Sequence, residues 1–164
     1  MAVIAAQEVE ILFTTPPVLS ALADVLTAAQ RERIRAVHYG GMVVTPQQML
    51  RFQSELFPNA LHLSGYGNTL FGCCMELHAT PGRDIDYFPF GHRLLFEVDA
   101  NQEGQGTVRF TRLDESFLIV HMRERDVARL VAPPEQRPGE FELPGLRNPH
   151  PPASLNERIA VGIY

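Results

Sequence analysis

A chain of 164 residues with 45% hydrophobic and 20% charged side chains holds enough apolar surface for one core and excludes a chain kept unfolded by charge. Its 14 Lys and Arg against 19 Asp and Glu give a net charge of −5, which excludes a broad cationic surface for nucleic acid or an anionic membrane. No apolar run approaches the roughly 20 residues of a membrane-spanning helix, and Met1 to Glu10 lacks both basic residues and a signal-length apolar stretch, so a cytoplasmic protein is expected.

Val9 to Thr14 reads as a strand, and Pro16-Pro17 supply the backbone angle of a helix start. Val18, Leu19, Leu22, Val25 and Leu26 recur at spacings of three and four, which predicts one amphipathic helix continuing to Arg33. Ile34 to Tyr39 follows as a strand closed by Gly40-Gly41. Thr45 is placed to cap a second helix with Pro46 at its first position, and Met49, Leu50, Phe52, Gln53, Leu56 and Phe57 supply its inner face before Pro58-Asn59 end it. Ala60 to Ser64 is the third strand.

This alternation favours parallel strands covered by helices. Gly91 to Asp99, Gly106 to Arg112 and Phe117 to His121 are shorter β-rich runs separated by turn residues, as in an antiparallel meander. The expected fold class is α/β: a parallel β-α-β segment followed by a small antiparallel β-sheet or distorted barrel. Residues 1–90 form the α/β segment and 91–131 the β-rich part. Residues 132–164, rich in proline, form an extended arm.

Two glycine-rich turns follow strand ends, Gly40-Gly41 and Gly65-Tyr66-Gly67-Asn68-Thr69. The crevice beyond the carboxyl ends of strands in an open α/β sheet is where ligands bind, since backbone donors are unpaired there. Tyr66 could stack on a base, and Asn68 and Thr69 could bond to a phosphate. Taken alone, such turns are more often only turns.

Gly65-Tyr66-Gly67-Asn68-Thr69, preceded by Phe57-Pro58 and the Gly40-Gly41 turn, resembles the Tyr-Gly-x-Thr-Glu signature of the adenylate-forming superfamily of acyl- and aryl-CoA synthetases. The branch it is most similar to is that of phenylacetate-CoA ligases and acyl-protein synthetases. The resemblance implies the carboxy-terminal part of such a ligase's large domain, with ATP or AMP as nucleotide, a carboxylic acid as substrate and CoA or another acceptor. It places Tyr66 against adenine and Thr69, as the catalytic residue, on the AMP phosphate. Gly40, Gly41, Gly67 and Asn68 join the nucleotide contacts. Met122-Arg123-Glu124-Arg125-Asp126 falls where the family carries an Arg-Tyr-x-Thr-Gly-Asp-like run, which makes Asp126 the ribose ligand. A carboxylate accepting two hydroxyl hydrogen bonds also makes independent physical sense, although without the upstream motif this charged run reads more readily as a surface salt-bridge cluster.

The chain departs from the family at several points. Leu70 replaces the glutamate that helps hold Mg²⁺, and carbon cannot ligate a hard cation. Magnesium binding is therefore open, with Glu76 a substitute whose facing the sequence does not fix. Met42 replaces an acidic residue after Gly-Gly. Neither the lysine-bearing phosphate loop nor the mobile domain with the catalytic lysine occurs in these 164 residues, so the expected partners include a chain or segment completing the domain, or a second copy. The competing expectation is a non-catalytic, degenerate nucleotide-binding or protein-interaction module.

Other residues carry less. Cys73 and Cys74 have no basic neighbour in sequence and read as reduced, buried structural thiols. His38 reads as a satisfied core histidine, and His121 faces either the nucleotide site or solvent. Glu76-Leu77-His78 and Asp84-Ile85-Asp86 have the skip spacing of a solvated strand face rather than of a metal site, so no metal ligands are assigned.

Overall fold

The computed structural model describes residues 4, 6–77, 83–115, 117–135 and 139–152. They form two compact units. The first runs to Gly65 and includes residues 83–85; the second comprises Tyr66–Leu77 and the chain from Asp86 onward. Among the described residues no helix is long and apolar enough to cross a membrane.

In the first unit, strands β1 (Ile11–Thr14), β2 (Ala36–Tyr39) and β3 (Leu61–Asn68, to Gly65 in this unit) pair in parallel, with Leu12, Val37 and His62 in one row. Strand alternation sorts the side chains by face. Leu12, Val37, Tyr39, His62 and Ser64 are buried, whereas Ile11, Phe13 and Leu61 on the alternate face are 68%, 82% and 62% exposed. Tyr39 meets Phe52 edge-on at 5.4 Å, which identifies the buried face as the one the helices cover.

The single helix expected from Pro16 to Arg33 is two, α1 (Pro16–Val25) and α2 (Ala28–Arg33). The break is local chemistry. Leu26 turns extended, and Thr27 starts a new helix by a capping box, its side chain accepting from Gln30 N while Gln30 Oε1 accepts from Thr27 N at 3.0 Å. Leu19, Ala23 and Leu26 are buried, whereas Val18 and Val25, expected inside, are exposed. Ile34 caps α2 rather than opening β2, yet is fully buried.

Thr45 caps α3 (Pro46–Arg51) as expected, through a second capping box with Gln48. A π turn, Phe52–Leu56, then replaces regular helix, and Phe57 N donates to Phe52 O at 2.9 Å. The wider turn brings Met49, Phe52, Leu56 and Phe57 inside and leaves Leu50, expected in the core, 42% exposed.

The second unit is antiparallel. Beyond the end of β3, its strands are ordered β4 (Gly72–Glu76), β5 (Asp86–Phe88), β9 (Gly145–His150), β8 (Leu118–Val131), β7 (Gln105–Leu113) and β6 (Leu94–Ala100). The α/β expectation therefore holds, with its antiparallel part realised as an open sheet. The β6–β7 turn closes on Asn101, whose Oδ1 accepts from Glu103 N and Gln105 N. Phe96, Val108, Phe110, Ala128 and Leu146 form the core, and Phe71 meets Phe96 and Phe110 edge-on at 5.6 and 5.1 Å. Each such buried Phe, Val or Leu side chain stabilises by about 1.5–3 kcal/mol relative to an exposed one.

Three expectations change here. The last meander strand is far longer than Phe117–His121, and the Met122–Asp126 run lies within it. The stretch after Val131, expected as an extended arm, supplies β9 between β5 and β8; residues 153–164 of that arm lie outside the described residues. Gly145 permits this placement, since a Cβ there would sit 2.4 Å from Tyr87 O. Finally, Gly65-Tyr66-Gly67-Asn68 is not a turn but the end of β3.

Candidate nucleotide site

Tyr66 and Asn68 occupy alternate positions on β3 and reach alternate positions on β8. The Tyr66 phenol donates to Asp126 Oδ2 at 3.0 Å, and the Asn68 amide donates to Glu124 Oε2 at 2.7 Å. Period-two alternation puts each pair on one face, so two motifs distant in sequence meet side chain to side chain.

The Tyr66 ring packs against Phe71 and Tyr87 at 5.5 and 5.8 Å. Burial, reinforced by the negative charges of Asp126 and Glu124, pushes the phenol well above its ordinary range, so it remains a donor at physiological pH. Asp126 is also raised. Burial is the main cause and the Glu124 charge adds to it, while the Tyr66 hydrogen bond, Arg125 and His150 oppose it. Among the described residues no other side chain bonds to the Asp126 carboxylate, which leaves acceptor capacity for hydroxyl groups.

The turn after β3 is built by Asn68. Its Oδ1 accepts from Leu70 N at 2.8 Å and Phe71 N at 3.1 Å. Arg112 fixes the turn from β7, donating from Nη1 to Leu70 O at 2.8 Å while its guanidinium pairs with Asp114 and lies 4.7 Å over the Phe117 ring. Gly67 is dictated by strand pairing: a Cβ would fall 1.9 Å from Gly72 O. Thr69 stands exposed in the turn.

Gly40 and Gly41 belong to the first unit. A Cβ on Gly40 would lie 3.1 Å from Gly65 O, so its bareness lets the end of β2 approach β3, while Gly41 has φ +72 in open space. Met42 is 44% exposed.

Leu70 offers only carbon and is 38% exposed, Glu124 is engaged by Asn68, and among the described residues no group of three or more His, Cys, Asp or Glu is placed to hold a cation. The turn does not fit a magnesium ion. Asp86 is held by Arg147 through two bonds of 2.7 Å. Glu76 lies half-buried on β4, and His78 lies outside the described residues.

Other expectations need correction. Cys74 is fully buried, but Cys73 is exposed because neighbours on β4 point to opposite faces. Burial raises both thiols. His38 is not a satisfied core residue: it stacks on Phe13 at 4.2 Å, and its buried Nδ1 has no hydrogen-bond partner among the described residues. Desolvation lowers it. His121 faces solvent, paired with Glu97 at 2.7 Å. Glu124, Arg112 and Tyr87 were not singled out from sequence. Strand periodicity through Met122–Asp126 would have put Glu124 beside Asp126, whereas nothing local marks Arg112 or Tyr87.

No family model matches the chain. No curated protein matches it. Among solved structures, PA1221, an NRPS protein containing adenylation and PCP domains, superposes with a TM-score of 0.53 and 15% identity, over 86% of this chain and 34% of that one. Its holo form bound to a vinylsulfonamide inhibitor gives 0.52 and 16%, over 86% and 29%. IdnL1 gives 0.51 and 16%, over 90% and 36%. The chain thus shares its fold with a portion of each of these proteins and spans about a third of their length.

Proposed function

We propose that this chain is part of an ATP-dependent adenylate-forming ligase of the phenylacetate-CoA ligase and acyl-protein synthetase-like branch, supplying contacts to the nucleotide. In such a ligase a carboxylate attacks the α-phosphate of ATP, releasing pyrophosphate, and CoA or another acceptor then takes the acyl group. The observation that carries the reading is the Tyr66–Asp126 hydrogen bond, which joins the two segments that resemble the family's nucleotide motifs within a fold shared with adenylation-domain proteins. Asp126 accepts from the ribose hydroxyls, Tyr66 orients that carboxylate and packs against adenine, and Thr69 meets the phosphate. The phosphate-loop and catalytic lysines come from a segment or chain other than these residues.

Calorimetry tests this. The chain is expected to bind AMP weakly and Asp126→Ala to weaken it by about tenfold or more, the value of a charge-assisted hydrogen-bond pair. Unchanged affinity would remove Asp126 from the site. Leu70 in place of a cation ligand favours a second reading, a non-catalytic nucleotide-binding module. Pyrophosphate exchange by a protein carrying the whole domain separates the two.

A further inference from the structure

The parallel sheet of the first unit is covered by helices on one side only. Its strands follow in the order β1, β2, β3, and right-handed connections between successive parallel strands put both sets of crossover helices on the same face. The other face carries two rows set by the register, Ile11–Ala36–Leu61 and Phe13–His38–Leu63. Neither row contains an Asp, Glu, Lys or Arg. His38 lies flat against Phe13 at 4.2 Å, and desolvation lowers it, so it is uncharged at neutral pH. Parallel sheets are ordinarily buried on both faces, yet here Ile11, Phe13 and Leu61 stand 68%, 82% and 62% exposed.

We propose that this face is an isologous interface on which a second copy of the chain packs, sheet to sheet. Such an interface needs a self-complementary surface, and an apolar platform without charge is one. Charges near the amino ends of its strands are already paired within one copy, Arg35 with Glu10 at 3.8 Å and Arg33 with Glu8 at 3.9 Å. At roughly 150–200 Å² for a fully exposed large side chain, the three exposures leave about 300–400 Å² open per copy. Two copies therefore hide about 600–800 Å² through these residues alone, and Ala36, His38 and Leu63 fill the rows between them. The total comes near the ~1,000 Å² of a small specific interface, so a weak, concentration-dependent dimer is expected rather than an obligate one. Sheets stacked ~10 Å apart leave their strand ends open. The inference goes beyond the nucleotide reading and does not depend on it.

Sedimentation velocity of the full chain without nucleotide, from about 1 μM to about 500 μM, brackets a weak dimer. The parent should shift from monomer to dimer with concentration. The dimer should tighten severalfold as ionic strength rises from about 0.01 M to about 1 M, because each copy carries a net charge of −5 and salt screens the repulsion. Phe13→Glu and, separately, Leu61→Gln should each weaken it about tenfold or more, while thermal unfolding of the dilute variants stays close to that of the parent. Should the charged variant not fold, Leu61→Gln carries the test. Leu118→Glu, at a position 77% exposed on β8, should leave the dimer unchanged. A monomer at every concentration would overturn the inference and leave the face to a helix of another polypeptide. A dimer indifferent to both first-unit substitutions, or weakened as much by Leu118→Glu, would overturn it too. None of these outcomes bears on AMP binding, which tests the nucleotide reading by itself.

Discussion

Tyr66 and Asp126, 60 residues apart in the chain, are joined by one hydrogen bond of 3.0 Å from phenol to carboxylate. Replacing Tyr66 by Phe keeps the ring between Phe71 and Tyr87 and deletes only the donor. The expected loss is about 1 kcal/mol of folding stability, since a single intramolecular hydrogen bond contributes of that order. Urea unfolding of Tyr66→Phe, Asp126→Asn and the double variant measures it. Strictly additive effects would show that the pair is not coupled.

The same pair sets a pH dependence. The Asp126 carboxyl is raised in the folded chain above its unfolded value, mainly by burial. Its contribution to stability is therefore present below the ordinary carboxylate range and is lost as pH rises through the raised folded value. Asp126→Asn should match the parent at acid pH and become the more stable of the two at neutral pH. Thermal unfolding across that range would reveal a parent that gains on the variant with rising pH if the sign were wrong.

Two glycines make a contrast. At Gly67 a methyl group would strike Gly72 O and Cys73 Cα at 1.9 and 2.8 Å, so Gly67→Ala must separate β3 from β4 and is expected to cost on the order of 3 kcal/mol. At Gly41 the space is open and only the positive φ opposes a side chain, so Gly41→Ala should cost about 1–2 kcal/mol. Equal destabilisation in denaturant titrations would contradict the assignment of Gly67 to strand pairing.

Thiol labelling checks the placement of β4. Cys73 is exposed and Cys74 buried, and burial raises both thiols above their ordinary range. At neutral pH the native protein should label slowly at Cys73 and not at Cys74, with the second thiol appearing only on unfolding. Two equally fast thiols in the native state would show that β4 is not so placed.

Much of the first unit was legible because its signals are local. Thr45-Pro46 marks a helix start by capping chemistry that needs nothing beyond its own turn. The helix break at Thr27 was hidden because Leu26 continues the apolar spacing while Gln30, the other half of the capping box, lies on the polar side. Gly67 misled in the opposite direction. Glycine suggests a turn, yet here it serves close strand approach, a tertiary requirement that no window of sequence displays. β9 was obscured by its proline, and its pairing with β5 and β8 depends on partners far away in the chain. In the site, Tyr66 and Asp126 were readable as separate motifs, but the commitment of Asn68 to Glu124 and to its own turn emerged only from the geometry.

The π turn at Phe52–Leu56 has a consequence for how this chain tolerates changes in length. A π turn holds one residue more than an α turn between the same hydrogen-bonded ends. Losing a single residue there would restore a regular α-helix that still ends at the carbonyl of Phe57, to which His62 bonds at 2.9 Å. Losing one residue from β3 would instead swing the side chains beyond it to the opposite face and part Tyr66 from Asp126. Insertions and deletions should therefore accumulate in the turn and be excluded from the neighbouring strand.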